Sequence, residues 1–148
     1  MRTIYTNSSE ETIELGYNLI KQMPHDCHVV LLSGDLSAGK TTLTKGIAKA
    51  LNVKSIINSP TFTILKVHKG DKTLYHFDLY RMDKVGTDFD LEEYIDDPNS
   101  LAVIEWPYQV KELLPQAYVE VKLTYIKDNE REIVISSVNM DDSWENNL

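Results

Sequence analysis

Cysteine is nearly absent: Cys27 is the only one in 148 residues. One thiol makes no internal disulfide, so the chain must stand on its hydrophobic core, and a reducing cytoplasm suits it. Cys27 opens an apolar segment, where packing is its default role. The four histidines, His25, His28, His68 and His76, show no zinc spacing, and a lone cysteine cannot complete a site. No apolar run approaches the ~18 residues of a membrane span, and the first residues, Met1 to Tyr5, carry no apolar leader core. Basic charge is short as well. The net charge is −8, which repels nucleic-acid phosphate unless a basic patch is concentrated somewhere. Lys45, Lys49 and Lys54 form a modest strip at best, or simply a solvated helix face. Tight binding of nucleic acid by the chain alone is therefore not expected. Asp88-Phe89-Asp90 starts like a calcium loop but lacks the glycine at the sixth position. Asp83-Lys84-Val85-Gly86 is D-x-x-G, yet no N-K-x-D guanine-reading motif accompanies it, which argues against a GTPase.

What is present is Gly34-Asp35-Leu36-Ser37-Ala38-Gly39-Lys40-Thr41, the G-x-x-x-x-G-K-[ST] pattern of a phosphate-binding P-loop. Each part has a physical task. The glycines let the backbone turn and aim N–H groups at phosphate oxygens. Lys40 supplies a point charge to the β- and γ-phosphates, and the Thr41 hydroxyl is a candidate Mg²⁺ ligand. The helix that follows offers its positive N-terminal end to the same anion. The context agrees. Val29-Val30-Leu31-Leu32 reads as a parallel strand buried on both faces, and Leu43, Ile47, Ala48 and Leu51 recur at helical spacing after Lys40.

The rest of the chain adds strands and short helices. Thr3 to Thr6 predicts an opening strand. Ser8 with Glu11 fits a capping box for a helix ending near Met23-Pro24. Phe62 to His68 and Thr73 to Asp78 predict a hairpin around Lys69-Gly70-Asp71-Lys72. Asp83 to Asp90 reads as loop, and Leu91 to Ile95 as a short helix. Leu101-Ala102-Val103-Ile104 is a second buried run ending at Glu105-Trp106-Pro107. Tyr108 to Leu114 predicts a brief helix. Ala117 to Tyr125 and Glu132 to Val138 alternate as a terminal hairpin. The sum is one α/β domain over residues 1–140: a P-loop NTPase with a mixed, mainly parallel central sheet flanked by helices and antiparallel hairpins. The acidic tail, residues 141–148, is expected to fray.

Phosphoryl chemistry needs Mg²⁺ held from two sides and an oriented nucleophile. Glu105, at the end of the second buried strand, is placed to reach the metal directly or through water, or to orient the attacking water. The alternative is a surface carboxylate at a strand end. The residue before it is Ile104, so one carboxylate does work that two share elsewhere. Asp78 ends the strand Tyr75-His76-Phe77-Asp78, where it would lie beside the γ-phosphate. Trp106 follows Glu105, to wall the site, anchor a partner or pack in the core. Thr61 sits on a loop positioned to sense the γ-phosphate. Only three arginines exist: Arg2, Arg81 and Arg131. Arg81, three residues beyond Asp78, is read equally as a charge stabiliser or a surface residue. Arginine-poor NTPases borrow their charge in trans, worth ~10³–10⁵ in rate. Slow intrinsic hydrolysis and dependence on a partner follow.

Four segments now stand together in order: the P-loop through Thr42, Ser59-Pro60-Thr61-Phe62-Thr63, His76-Phe77-Asp78-Leu79-Tyr80-Arg81 and Ile104-Glu105-Trp106-Pro107. From the first helix to about Pro115 the chain resembles the bacterial TsaE (YjeE) family. The resemblance implies a cytoplasmic Mg²⁺-dependent ATPase required for threonylcarbamoyladenosine formation in tRNA, working with the partners TsaD and TsaB. It meets tRNA only through them, binds ATP or ADP, and has no membrane role. By this likeness Thr41 and Glu105 hold Mg²⁺, while Lys40, Asp78 and Glu105 serve catalysis. The nucleotide is contacted along Gly34, Asp35, Leu36, Ser37, Ala38, Gly39, Lys40, Thr41 and Thr42, with Thr61 and Trp106 near it and Ser9 and Arg131 flanking it. Ser37 departs from the family, which usually has glycine there; at a positive φ, serine costs of order 1 kcal/mol. Two readings compete: a self-sufficient small-molecule kinase, and a nucleotide-dependent binding module.

Overall fold

The computed structural model of the chain describes residues 1–35, 38–57, 65–78, 91–105 and 114–148. Among them seven strands form one sheet, in the order β1-β7-β6-β2-β5-β4-β3. The strands are β1 (Arg2–Thr6), β2 (Val29–Ser33), β3 (Leu65–His68), β4 (Thr73–Asp78), β5 (Ser100–Glu105), β6 (Tyr118–Lys127) and β7 (Glu130–Val138). The centre is parallel, with β2 between β5 and β6 and β4 beside β5. Antiparallel pairs finish both sides: β3 on β4, and β7 on β6 and β1. The mixed α/β sheet expected from the sequence is what forms. The terminal hairpin does more than cap it, because β6 docks in parallel on β2. Central β2 is buried along its whole length, as its unbroken apolar run requires.

Alternation along the strands divides the core in two. Val30, Leu32, Val103, Val119, Val121 and Ile133 face α1 (Ser9–Gln22) and α2 (Lys40–Ala50). Val29, Leu31, Phe77, Ala102 and Ile104 face the other way, toward Ile95 of the short α3 (Leu91–Ile95). Each fully buried Leu or Ile is worth about 1.5–3 kcal/mol, so the larger α1–α2 side carries most of the apolar stabilisation. Ser8 caps α1 as expected, its Oγ accepting from the Glu11 N–H at 3.1 Å. The Glu11 carboxylate accepts from Asn7 N–H at 3.1 Å, one residue before the usual capping-box position. The helices cross on reciprocal glycines. A Cβ on Gly16 would strike the Leu43 carbonyl oxygen, and one on Gly46 the Ile13 carbonyl oxygen.

Two expectations are corrected. The tail does not fray: Ser143–Asn147 forms a 3₁₀ turn that buries Trp144 and Glu145. Trp144 Nε1 donates to Ser137 Oγ at 3.0 Å, and Ser137 donates to Glu145 Oε2 at 2.6 Å. The Met1 ammonium lies 2.9 Å from Glu145 Oε1. An acidic tail expected to fray is pinned here by non-local partners. Second, the terminal hairpin closes more tightly than its expected ends at Tyr125 and Glu132, because β6 runs to Lys127, β7 starts at Glu130 and only Asp128 and Asn129 turn, Asp128 at φ 50°. Cys27 is buried 2 residues before β2, and burial pushes its thiol pKa up, which suits a packing role. The expected helix over Tyr108–Leu114 up to its last residue, the loop over Asp83–Asp90 and the first residues of the Phe62–His68 strand lie outside the described residues.

Candidate functional site

β2 delivers the chain to the loop at the carboxyl edge of the parallel strands. Gly34 has φ 144°, and a Cβ there would strike the Leu123 carbonyl oxygen of β6. Ala38 N–H donates back to Asp35 O at 3.0 Å, and Gly39, at φ 103°, caps α2 with backbone alone. Leu43 N–H then donates to Gly39 O at 2.9 Å, and α2 runs on. Glycine is required at both ends of this loop, one end for contact and both for positive φ.

Lys40 is only 4% exposed. Its Nζ donates to Gly34 O at 2.5 Å and to Asp35 O at 3.1 Å, so the head group curls into its own loop. Burial lowers the Lys40 pKa, and the neighbouring Glu105, Asp78 and Asp35 pull it back up. That places both strand-end carboxylates within electrostatic reach of the lysine. Thr41 and Thr42, half-buried, occupy the first turn of α2.

Strand register supplies the rest. Asp78 pairs with Glu105, and Glu105 with Leu32, so β4, β5 and β2 end at the same edge, beside the loop. Ligands of parallel α/β sheets bind outside this edge. Glu105 is 3% exposed, which rejects the reading of a surface carboxylate. Its Oε2 lies 2.5 Å from Nε2 of His76, a fully buried residue. Sequence reading missed that contact, having considered histidines only as zinc ligands. The signal was there: His76 is two residues before Asp78 on a strand, hence on the same face.

Arg131 lies beside the Gly39 end of the loop. Arg131 pairs with Thr6 across β7 and β1 and stacks on the Tyr125 ring at 4.8 Å. Its Nε lies 3.9 Å from where a Cβ on Gly39 would stand. Ser9 opens α1, three residues after Thr6. Thus Gly34, Asp35, Ala38, Gly39, Lys40, Asp78, Glu105 and Arg131 come together. Leu36, Ser37, Thr61, Arg81 and Trp106 lie outside the described residues. Lys45, Lys49 and Lys54 are exposed along one open groove with Ile56, away from the strand ends. No helix among the described residues is long and apolar enough to cross a membrane.

The family model described as "Threonylcarbamoyl adenosine biosynthesis protein TsaE" matches residues 6–133. The chain belongs to the TsaE family. A TsaE protein of Bacillus subtilis (strain 168) is 43% identical over 111 residues, covering 74% of this chain and 70% of its own. One from Treponema pallidum (strain Nichols) is 36% identical over 133 residues, covering 88% and 97%. The crystal structure of Bacillus subtilis YdiB superposes with a TM-score of 0.78 at 34% identity, covering 93% of this chain and 86% of that one. The TsaE match extends over the loop, both strand-end carboxylates and Arg131, and stops before the tail clasp.

Proposed function

We propose that the chain is the ATPase component of the tRNA threonylcarbamoyladenosine machinery, slow alone and activated by a TsaB–TsaD pair. The observation that carries this reading is the convergence of Lys40, Asp78 and Glu105 on the loop at the ends of three adjacent strands. The loop N–H groups and the first turn of α2 bind the phosphates. Lys40 exchanges its two carbonyl partners for β- and γ-phosphate oxygens, a stronger, charge-assisted pairing. Mg²⁺ suits the donors: a hydroxyl at Thr41 and a carboxylate at Glu105 are hard oxygen ligands, and Mg²⁺ takes one or two from protein beside phosphate oxygens. When bound it neutralises charge on the β- and γ-phosphates. Glu105 binds it or orients the attacking water, and Asp78 holds the neighbouring position. Among the described residues Arg131 is the one arginine beside the loop, its Nε 3.9 Å from where a Cβ on Gly39 would stand, and further cationic charge is assigned to the partner.

The test is ATP hydrolysis measured with and without TsaB–TsaD. Stimulation of at least tenfold is expected. Equal rates, or fast turnover by the isolated chain, overturn the reading in favour of a self-sufficient enzyme. Glu105→Ala is expected to bind ATP yet fail to support the modification. Full support by that variant would make the protein a nucleotide-dependent binding module.

A further inference from the structure

We propose that His76 is a positioning residue for Glu105, fixing which oxygen of that carboxylate faces the nucleotide; this rests on the ATPase reading. The two side chains share one face of the sheet. Asp78 pairs with Glu105 across β4 and β5, so His76 is its diagonal neighbour, and Nε2 meets Oε2 at 2.5 Å. A carboxylate oxygen accepts, so the bond needs the proton on Nε2, which donates. The ring is wholly buried, between Lys66 of β3 and Val103 of β5 in the register. Such a ring cannot swing without displacing a sheet already packed on both faces. Its Nδ1 is buried with no hydrogen-bond partner among the described residues. Glu105 is therefore the one polar contact described for this side chain.

The consequence is geometric. With Oε2 committed to the histidine, Oε1 is the oxygen presented to metal or water. Partners of this kind orient a ligating carboxylate, and losing one typically costs 10–100-fold in metal affinity or activity.

His76→Leu removes the donor, while His76→Gln keeps an N–H in reach. Each is to be assayed with the partner pair for kcat and KM, and alone for the Mg²⁺ dependence of binding a fluorescent ADP analogue. His76→Leu is expected to raise the Mg²⁺ half-saturation about tenfold and lower kcat about tenfold. The KM for ATP should hold, and His76→Gln should recover most of both losses. In ¹⁵N-labelled wild-type protein, the His76 ring should be protonated at Nε2, with a strongly deshielded proton that is lost in Glu105→Ala. That spectrum decides the bond even if the leucine variant does not fold. A ring protonated at Nδ1 instead, or a folded leucine variant with wild-type Mg²⁺ dependence, overturns the proposal alone. Wild-type protein that binds the analogue equally with and without Mg²⁺ overturns the functional reading, and this inference with it.

Discussion

Two glutamates of this chain are equally buried, Glu105 and Glu145, each 3% exposed. Each has a short bond to one oxygen, 2.5 Å from His76 in one case and 2.6 Å from Ser137 in the other. Their surroundings differ. Glu145 is closed on its other side by the Met1 ammonium and lies among partners with no further task. Glu105 stands at the end of a central parallel strand, within the field of a lysine whose charge burial disfavours. Burial of a carboxylate therefore does not mark a site. What marks it is a neighbouring charge that the fold leaves less stable than it would be in water.

This contrast predicts opposite phenotypes. Glu105→Gln, which can still accept from His76, should lower partner-stimulated hydrolysis at least 100-fold, about 2.7 kcal/mol in the barrier, with the melting temperature nearly unchanged. A fall in melting temperature large enough to explain the lost activity would make Glu105 a clasp like its counterpart. Glu145→Ala should do the reverse. It leaves the part-buried Ser137 hydroxyl without its acceptor and empties a buried position, and should cost about 2 kcal/mol in urea unfolding while hydrolysis stays at the wild-type rate. A slowed ATPase in that folded variant would erase the distinction. Ser137→Ala removes one donor from the clasp and should cost about 1 kcal/mol, seen as a lower urea midpoint.

The smallest effect is on pH. Hydrogen bonding to Glu145, then the charges of Glu145 and Asp142, raise the Met1 ammonium above its usual 8.0. A raised folded pKa stabilises fully below the unfolded value and is lost as pH rises through the folded one. Melting temperature should therefore dip slightly above pH 8, and N-terminal acetylation should remove the dip. An equal dip in the acetylated protein would assign it to another group.

The same pair shows what could be read from residues alone. The loop, β2, β4, β5 and Glu105 were legible because their signals are local: a motif with fixed backbone demands, and apolar runs ending in a carboxylate. The tail was misread because nothing within a few residues of Glu145 reveals Met1 or Ser137. His76 fell between these cases. Its strand and parity were readable, but its bond depends on the register between β4 and β5, which periodicity does not set. The docking of β6 on β2 was hidden for the same reason, since alternation names the buried face of a hairpin and not its neighbour. Gly16 and Gly46 permit a helix crossing that no local signal in the sequence gives.

The sheet order carries a consequence in time. β1, the first strand made, pairs only with β7, among the last, so Thr6 finds Arg131 about 125 residues later. At ribosomal speeds that wait is on the order of ten seconds. Throughout it, β2 also lacks β6 along one of its two apolar-rich edges. The nascent chain thus offers an unpaired strand long before its partner exists, which favours slow closure and makes this half of the sheet the place where chaperones have most to protect.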